Sequence, residues 1–550
     1  TGSAGGDTWT INGRNSGSVA GVAFRGFNNL VGGTGNDTYN IGSNAGNTTY
    51  GNITGSINDT AGANRLNVDV TNVNALVGNG QITYLGGAAD DVTITGSAPA
   101  GWSGSFTPGA GGSRDQIAYR NSTSTLTVSY LAGGTVADNA GVANYTLNGT
   151  GGADTINVGA GTVRVNTSNL DYSNKQAVTI DGGAGADTLV QNTNTTLTLP
   201  SLILANLENV NNGAALDTNL GSLGIQNSGA VRIVEQDALT LGPITTASLI
   251  DITAGGAVTS TAALTSTAAF TIDSTGNDIA LTGNNALSGA ITLNGNTINL
   301  NNGVATNFAS VNAASLTVTS AGDITQAGAI TGLTATTATL NAPGRNVTLN
   351  HAGNDFNDLR ITAGAVTVTD GNRIDSGSIT ADCVTLNTAT GIGSANTEGL
   401  PTGAFVTNTA SLTVDNGSGG VYITNNRAAT VNITNRGEIG FVNNGHLTID
   451  RLYTAGAEVD DRRQFRNVLL NVNGGSIYGV PLSSSGPRTI NNTPDITATN
   501  LSVYVFGGGM GTEARRVSIN VPETFGYYGL TRAYVHYYGG EPRAVIGTTD

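Results

Sequence analysis

The sequence predicts an all-β protein, a parallel β-helix followed by a C-terminal β-rich module. Three observations carry this. Short runs with apolar side chains at alternate positions recur at intervals of about twenty residues. Glycine supplies 80 of the 550 residues, the load expected of a chain that turns many corners. No segment has a 3.6-residue apolar stripe with caps, so helices should be scarce.

The repeats are plainest between about residues 190 and 450. Residues 249–258, beginning at Leu249, are followed 21 positions later by residues 270–279, beginning at Phe270, and Ile291 opens a third copy again 21 on. Leu316 follows at 25, then the runs starting at Ala338, Ile361, Ile379, Leu412 and Val431. One copy cannot bury its apolar face alone. Stacked copies point Val, Ile, Leu and Ala inward in columns, turn Thr, Ser and Asn outward, and run backbone hydrogen bonds from coil to coil.

The first two hundred residues carry a second signature. Residues 32–40 (Gly-Gly-Thr-Gly-Asn-Asp-Thr-Tyr-Asn) and 182–190 (Gly-Gly-Ala-Gly-Ala-Asp-Thr-Leu-Val) match the nonapeptide G-G-x-G-x-D-x-U-x in full. Near matches centre on Asp7, Asn64 and Asp154. The spacings Asp7 to Asp37, Asp37 to Asn64 and Asp154 to Asp187 are 30, 27 and 33 residues, so the motif marks one corner repeated once per coil. These spacings and two composition shifts divide the chain into 1–200, 201–450 and 451–550, with an excursion from the coils at about 95–145 marked by Pro99, Trp102 and Pro108. Past residue 450 arginines cluster, and eight aromatics fall in the last fifty residues. This is the expected cap or binding module.

Composition narrows the function classes. A charge of −15 repels phosphate backbones and anionic lipid, which argues against nucleic acid as a partner. No eighteen-residue apolar run is present, so no membrane insertion is expected. Hydrophobic residues at 38% supply a core, against disorder. Lys175 is the only lysine and Cys383 the only cysteine. A lone cysteine excludes an intrachain disulfide and any Cys-rich metal site, and its place in an alternating strand reads as a packed thiol.

The Gly-Asp turns offer hard oxygen ligands of the kind calcium takes, with Asp37 and Asp187 as first candidates and Asp7 and Asp154 as second. Turns isolated at about thirty residues each supply only part of a shell, and the alternative is that each aspartate hydrogen-bonds its own backbone. A β-helix can also cut polysaccharide, which needs paired carboxylates. Asp90-Asp91, Asp355 with Asp358, and Asp460-Asp461 are the acidic groupings available, and solvated turn carboxylates are the favoured reading of them. His351, His446 and His536 show no ligand spacing. Tyr527, Tyr528, Tyr534, Tyr537 and Tyr538 are candidate contacts to sugar rings or another protein, or simply core.

With these repeats, the chain resembles the large exoproteins of the filamentous haemagglutinin type, exported by bacteria through two-partner secretion. The pattern Leu-x-Val-x-Ser-x-Gly-x-Ile at 316–324 is similar to that family's repeat, and residues 22–30 leading into the first nonapeptide look like a module of giant surface adhesins. The resemblance implies a right-handed β-helical shaft, an extracellular location at the bacterial cell surface, and a non-catalytic role in attachment, aggregation or biofilm formation. The implied partner is a carbohydrate or protein receptor. A chain that starts at Thr1 inside a repeat coil is expected either to continue a longer precursor or to be covered by another subunit, self-associating end to end as a filament or sheath.

Overall fold

The computed structural model describes residues 1–110, 113–131, 134–260, 262–454, 467–480, 494–521, 524–529, 532–537 and 543–546. Among these, almost all regular structure is strand, with two single-turn 3-10 helices, Val73–Ala75 and Asn211–Gly213. The expected all-β class with parallel strands in sheets is what the chain adopts. It divides into two compact units, Thr1–Ile272 and Asp273–Asp550.

In the first unit two sheets are built by the alternation of apolar residues. One contains the parallel run Thr8–Gly13, Thr38–Ile41, Arg65–Asp69, Asp91–Thr95 and Val136–Asp138. Trp9, Tyr39, Leu66 and Val92 succeed one another in register and are buried. The other sheet runs through Val142–Asn148, Lys175–Asp181, Leu197–Ala205 and Leu216–Gln226, again parallel. Its core is aromatic: Tyr84, Phe106, Tyr119, Tyr130 and Tyr145 are all essentially inaccessible.

The segment 95–145, the expected excursion, leaves the parallel run but stays within the sheet. Its strands Ser103–Thr107, Asp115–Arg120 and Thr125–Leu131 form an antiparallel meander whose outer members pair in parallel with Val142–Asn148 and Asn79–Gly86. Pro99 and Pro108, which break the repeat rhythm, flank Ser103–Thr107, and the meander extends the sheet while the parallel run is interrupted. A second meander, Thr155–Gly159, Thr162–Val165 and Ser168–Tyr172, does the same in the first sheet.

In the second unit the strands are longer, up to 17 residues in Leu333–Leu349, and the interior is mainly aliphatic. Leu300, Val318, Leu340, Ile361 and Ile379 are successive register partners, at most 3% exposed. Val366, Val384, Leu412, Val431 and Ile449 form a second column. Two alignments read from spacing shift here. Leu316 follows Ile298 rather than Ile291, and Leu412 follows Val384 rather than Ile379, which pairs with Thr407. Both errors have one cause: a single rung contributes two apolar runs to two faces, as Ser376–Thr380 and Cys383–Thr388 both lie on the bent strand Phe356–Asp370.

Parallel pairing continues beyond residue 450. Ile439, Val468, Leu501, Phe525 and Ala544 are successive partners, so the described residues of 451–550 extend the ladder and do not begin a different fold. The composition shift there changes the side chains that face outward, and the pleat beneath them is unaltered.

Not all Asn, Ser and Thr turn outward. Asn285, Asn302, Asn416, Asn425, Asn435 and Asn443 are at most 1% exposed. At each bend a rung leaves backbone groups without ladder partners, and a buried amide, with both donors and acceptors, supplies them. Asn425 accepts from Thr409 N–H (3.0 Å) and donates to the Arg427 carbonyl (2.6 Å) and to Asn443 Oδ1 in the next rung (2.9 Å). Cys383 also departs from expectation: it is exposed, because the parity of its strand sends Val384 and Leu386 inward.

Candidate functional site

The nonapeptide corners assemble into two columns. In the first, the backbone N–H of Asp7 donates to Asp37 Oδ1 (2.7 Å), that of Asp37 to Asn64 Oδ1 (2.8 Å) and that of Asn64 to Asp90 Oδ1 (2.9 Å). In the second, the N–H of Asp154 donates to Asp187 Oδ1 (2.8 Å) and that of Asp187 to Glu208 Oε2 (2.7 Å). Strand register explains the periodicity. Thr8, Thr38, Arg65 and Asp91 are successive partners, as are Thr155, Thr188 and Asn209. The motif spacings are therefore rung lengths.

The second carboxylate oxygen usually returns to its own turn. Asp37 Oδ2 accepts from Gly33 N–H (3.0 Å), Asp90 Oδ2 from Gly87 N–H (2.8 Å), Asp154 Oδ2 from Thr150 N–H (2.6 Å) and Asp7 Oδ2 from Ser3 N–H (2.5 Å). Asp37 and Asp90 thus each tie their own loop closed and clamp the neighbouring rung. Charge-assisted bonds of this kind are about twice as strong as neutral ones. The glycines of these corners serve the same closeness: a Cβ on Gly6 would stand 2.3 Å from the Asn36 carbonyl, and one on the motif glycine Gly35 would stand 2.3 Å from Gly6 N.

Of the four calcium candidates, Asp37, Asp154 and Asp187 are buried. Both oxygens of Asp37 and of Asp154 accept hydrogen bonds, the latter also from Thr150 Oγ1 (2.9 Å) and Asn166 (2.5 Å). Asp187 Oδ2 is buried without a hydrogen-bond partner. Its carboxyl is pushed above the usual range, first by burial and further by nearby Asp154, Glu208 and Asp181. Among the described residues no three His, Cys, Asp or Glu side chains converge as a ligand group.

Two buried tyrosines join the first column, and sequence reasoning missed them. Tyr39 Oη donates to Asp59 Oδ2 (2.9 Å) and Tyr84 Oη to Asp90 Oδ2 (2.7 Å). Burial raises the Asp59 carboxyl to about 6, with Asp37 and Asp90 adding to the effect and the Tyr39 bond opposing it. The place of Asp90, 26 residues after Asn64, was the available signal.

The acidic groupings considered for catalysis are otherwise engaged. Asp90 belongs to the column, while Asp91 accepts from Thr135 N–H (2.8 Å). Asp358 pairs with Arg360 (2.9 Å), and Asp355 accepts from Asn372 (2.5 Å). Asp460 and Asp461 lie outside the described residues. His351 Nδ1 accepts from Gly353 N–H, and His446 Nδ1 from Ser476 N–H.

The aromatic candidates divide between the two faces of the last rungs: Tyr528 follows the half-buried Tyr504, whereas Tyr527 and Tyr537 follow the buried Val503 and Ile519. Tyr528 stacks on its register partner Tyr504 with centroids 4.9 Å apart. Tyr527 and Tyr537 both pack near Phe525, Tyr534 is exposed, and Tyr538 lies outside the described residues. Arg515 lies over the Tyr478 ring at 4.6 Å and His446 packs beside that ring at 5.7 Å. In the first unit a surface hollow of about 510 Å³ is lined by Thr135, Asn157, Arg164, Asn169 and Asp171, a polar set without an aromatic platform.

Residues 228–294 and 295–362 each match the family described as "Repeats of unknown function" (DUF5649). The second segment contains the successive partners Ile298, Leu316, Ala338 and Leu359, so one family copy spans several rungs. Comparison with curated proteins and with solved structures finds no match.

Proposed function

We propose that the chain is a non-catalytic segment of an extracellular adhesin from a bacterial cell surface. Its units wind as right-handed parallel β-helices, and it serves as a shaft in attachment, aggregation or biofilm formation. The observation that carries the reading is the ladder itself: rung after rung in parallel register, with interior columns of aliphatic residues and corner side chains given over to joining one rung to the next. Such construction favours extended display of surface over enclosure of a substrate. The right-handed sense rests on the chirality of parallel crossover connections.

The non-catalytic reading is supported by the acidic groups, which among the described residues are spent on backbone or side-chain amides or an arginine. Under this reading the receptor-contacting region is the side chains of the last rungs, where the Tyr504–Tyr528 stack and the Tyr478–Arg515 pair offer π faces and fixed donors. Sugar rings and peptide side chains both stack on such faces. Beads coated with the chain should gain adherence to a glycan array or to immobilised matrix proteins, and Tyr504→Ala with Tyr528→Ala should reduce it. Coated beads that adhere no better than bare ones overturn the proposal.

A second reading, end-to-end assembly, is favoured by one surface. Val22–Arg25 forms the edge of its sheet, and Val22, Phe27 and Val31 nearby are 68%, 57% and 43% exposed. An uncovered edge of this kind is a template for another strand. Under this reading Val22→Lys abolishes a concentration-dependent rise in solution mass. A chain that stays monomeric at every concentration removes the reading.

A further inference from the structure

The chain has 22 basic residues, of which 21 are arginine, and its one lysine is placed where no arginine is. Lys175 opens the strand Lys175–Asp181, and Asp138 closes the strand Val136–Asp138 of the other sheet. Lys175 Nζ lies 2.8 Å from Asp138 Oδ1, and both side chains are 0% exposed. Nζ also donates to the Ala140 carbonyl (2.5 Å) and sits 4.5 Å above the Tyr145 ring. An arginine would suit a plain ion pair better, since it stays charged and binds a carboxylate bidentately. What lysine has and arginine lacks is an amine that can give up its proton and become a nucleophile.

The two oxygens of Asp138 are treated differently. Oδ1 accepts from Tyr119 Oη (2.6 Å) and from Ala140 N–H (3.2 Å). Oδ2 is buried and accepts no hydrogen bond. Two donors on one oxygen are the arrangement that stabilises a developing oxyanion, and the other oxygen is then the leaving group.

We propose that Lys175 and Asp138 are a self-cross-linking pair, forming an intramolecular amide between Lys175 Nζ and Asp138 Cγ. In the low-polarity interior the ion pair passes a proton from Nζ to Oδ2, giving neutral amine and neutral acid. Burial, which lowers the lysine's pKa, favours that step while the nearby Asp138 charge opposes it. Nζ, oriented by the Ala140 carbonyl, attacks Cγ. Charge develops on Oδ1 under the Tyr119 and Ala140 donors. The Cγ–Oδ2 bond then breaks as a second proton from nitrogen reaches Oδ2. One amide forms and one water leaves, and no oxidant, metal or co-reactant is needed. The product ties one sheet of the first unit to the other by a covalent bond that denaturant does not undo and thiols do not reduce. This inference stands apart from the adhesin reading and holds whether or not the chain binds a receptor.

The intact mass of the purified full chain decides the matter. The cross-linked chain is lighter than its sequence by one water, about 18 Da. Trypsin then fails to cut after Lys175 and releases residues 121–164 joined to 165–232. Lys175→Arg, which keeps the cation, restores the sequence mass. Asp138→Asn, if it reacts, loses ammonia instead, about 17 Da. A wild-type chain at full sequence mass, cut by trypsin after Lys175 once unfolded, overturns the proposal, and that result needs no variant to fold.

Discussion

Replacing Asn425 by alanine tests the role of the buried amides directly. Asn425 is 0% exposed and accepts from Thr407 Oγ1 (3.0 Å) and Thr409 N–H (3.0 Å), while donating to the Arg427 carbonyl (2.6 Å) and Asn443 Oδ1 (2.9 Å). The truncation strands at least two buried backbone groups, Thr409 N–H and Arg427 C=O. At about 1–3 kcal/mol for each unsatisfied group, the local loss is about 3 kcal/mol. That corresponds to roughly a hundredfold in an opening equilibrium. In a stack of rungs, the loss falls on the rung and its neighbours before it reaches the whole chain. Hydrogen exchange read on peptides covering 405–443 should therefore accelerate about a hundredfold, with far smaller changes elsewhere. Asn444→Ala is the control. Its side chain is exposed and donates to Asn426 Oδ1 (2.8 Å), so it should stay within about 0.5 kcal/mol of wild type. Exchange in Asn425→Ala within about twofold of wild type, or equal effects of both variants, would refute the reasoning.

Other outcomes follow from the same structure. Asp37→Asn keeps an acceptor for Asp7 N–H but turns an amide donor toward Gly33 N–H, and thermal unfolding should register a loss of about 1–3 kcal/mol. If the corners are closed by backbone bonds alone, chelator leaves the melting midpoint unchanged, whereas a saturable rise on adding calcium would assign an ion to them. Asp59, raised to about 6 against an unfolded value of about 3.9, holds an extra proton in the folded state between those values. Its contribution is therefore full at acid pH and lost as pH rises through about 6. Subtracting the stability profile of Asp59→Asn from that of wild type should expose this slope, and a flat difference would disprove it. Cys383, being exposed, should react stoichiometrically with a maleimide in the native protein; labelling only in denaturant would return it to the interior.

The corner motif was legible in the sequence because glycine and aspartate there answer to one local constraint repeated once per rung. Spacings of 30, 27 and 33 residues fall out as register. The β class was legible for the same reason, since alternation is a property of each strand alone. Register in the second unit was less so: Ile379 and Val384 are both buried in one rung, and spacing cannot tell two faces of one rung from two rungs. The buried Asn residues were misread because an amide looks polar on any scale, while its place in a bend depends on which backbone groups the neighbouring rung leaves unpaired. The lysine was visible as a singleton. Its partner Asp138, 37 positions away in the other sheet, was not.

One cysteine substitution tests the parallel register most directly, because the chain carries a reporter of its own. Cys383 and Ser411 are register partners on adjacent strands. Their Cα atoms should stand about 4.8 Å apart, within the span of a disulfide, whereas Thr413, two residues further along, is placed beyond the limit of about 7 Å. Under mild oxidation Ser411→Cys should close an intrachain disulfide with Cys383 and Thr413→Cys should not. Cross-linking in Thr413→Cys without cross-linking in Ser411→Cys would contradict the stacking of rungs on which the account depends.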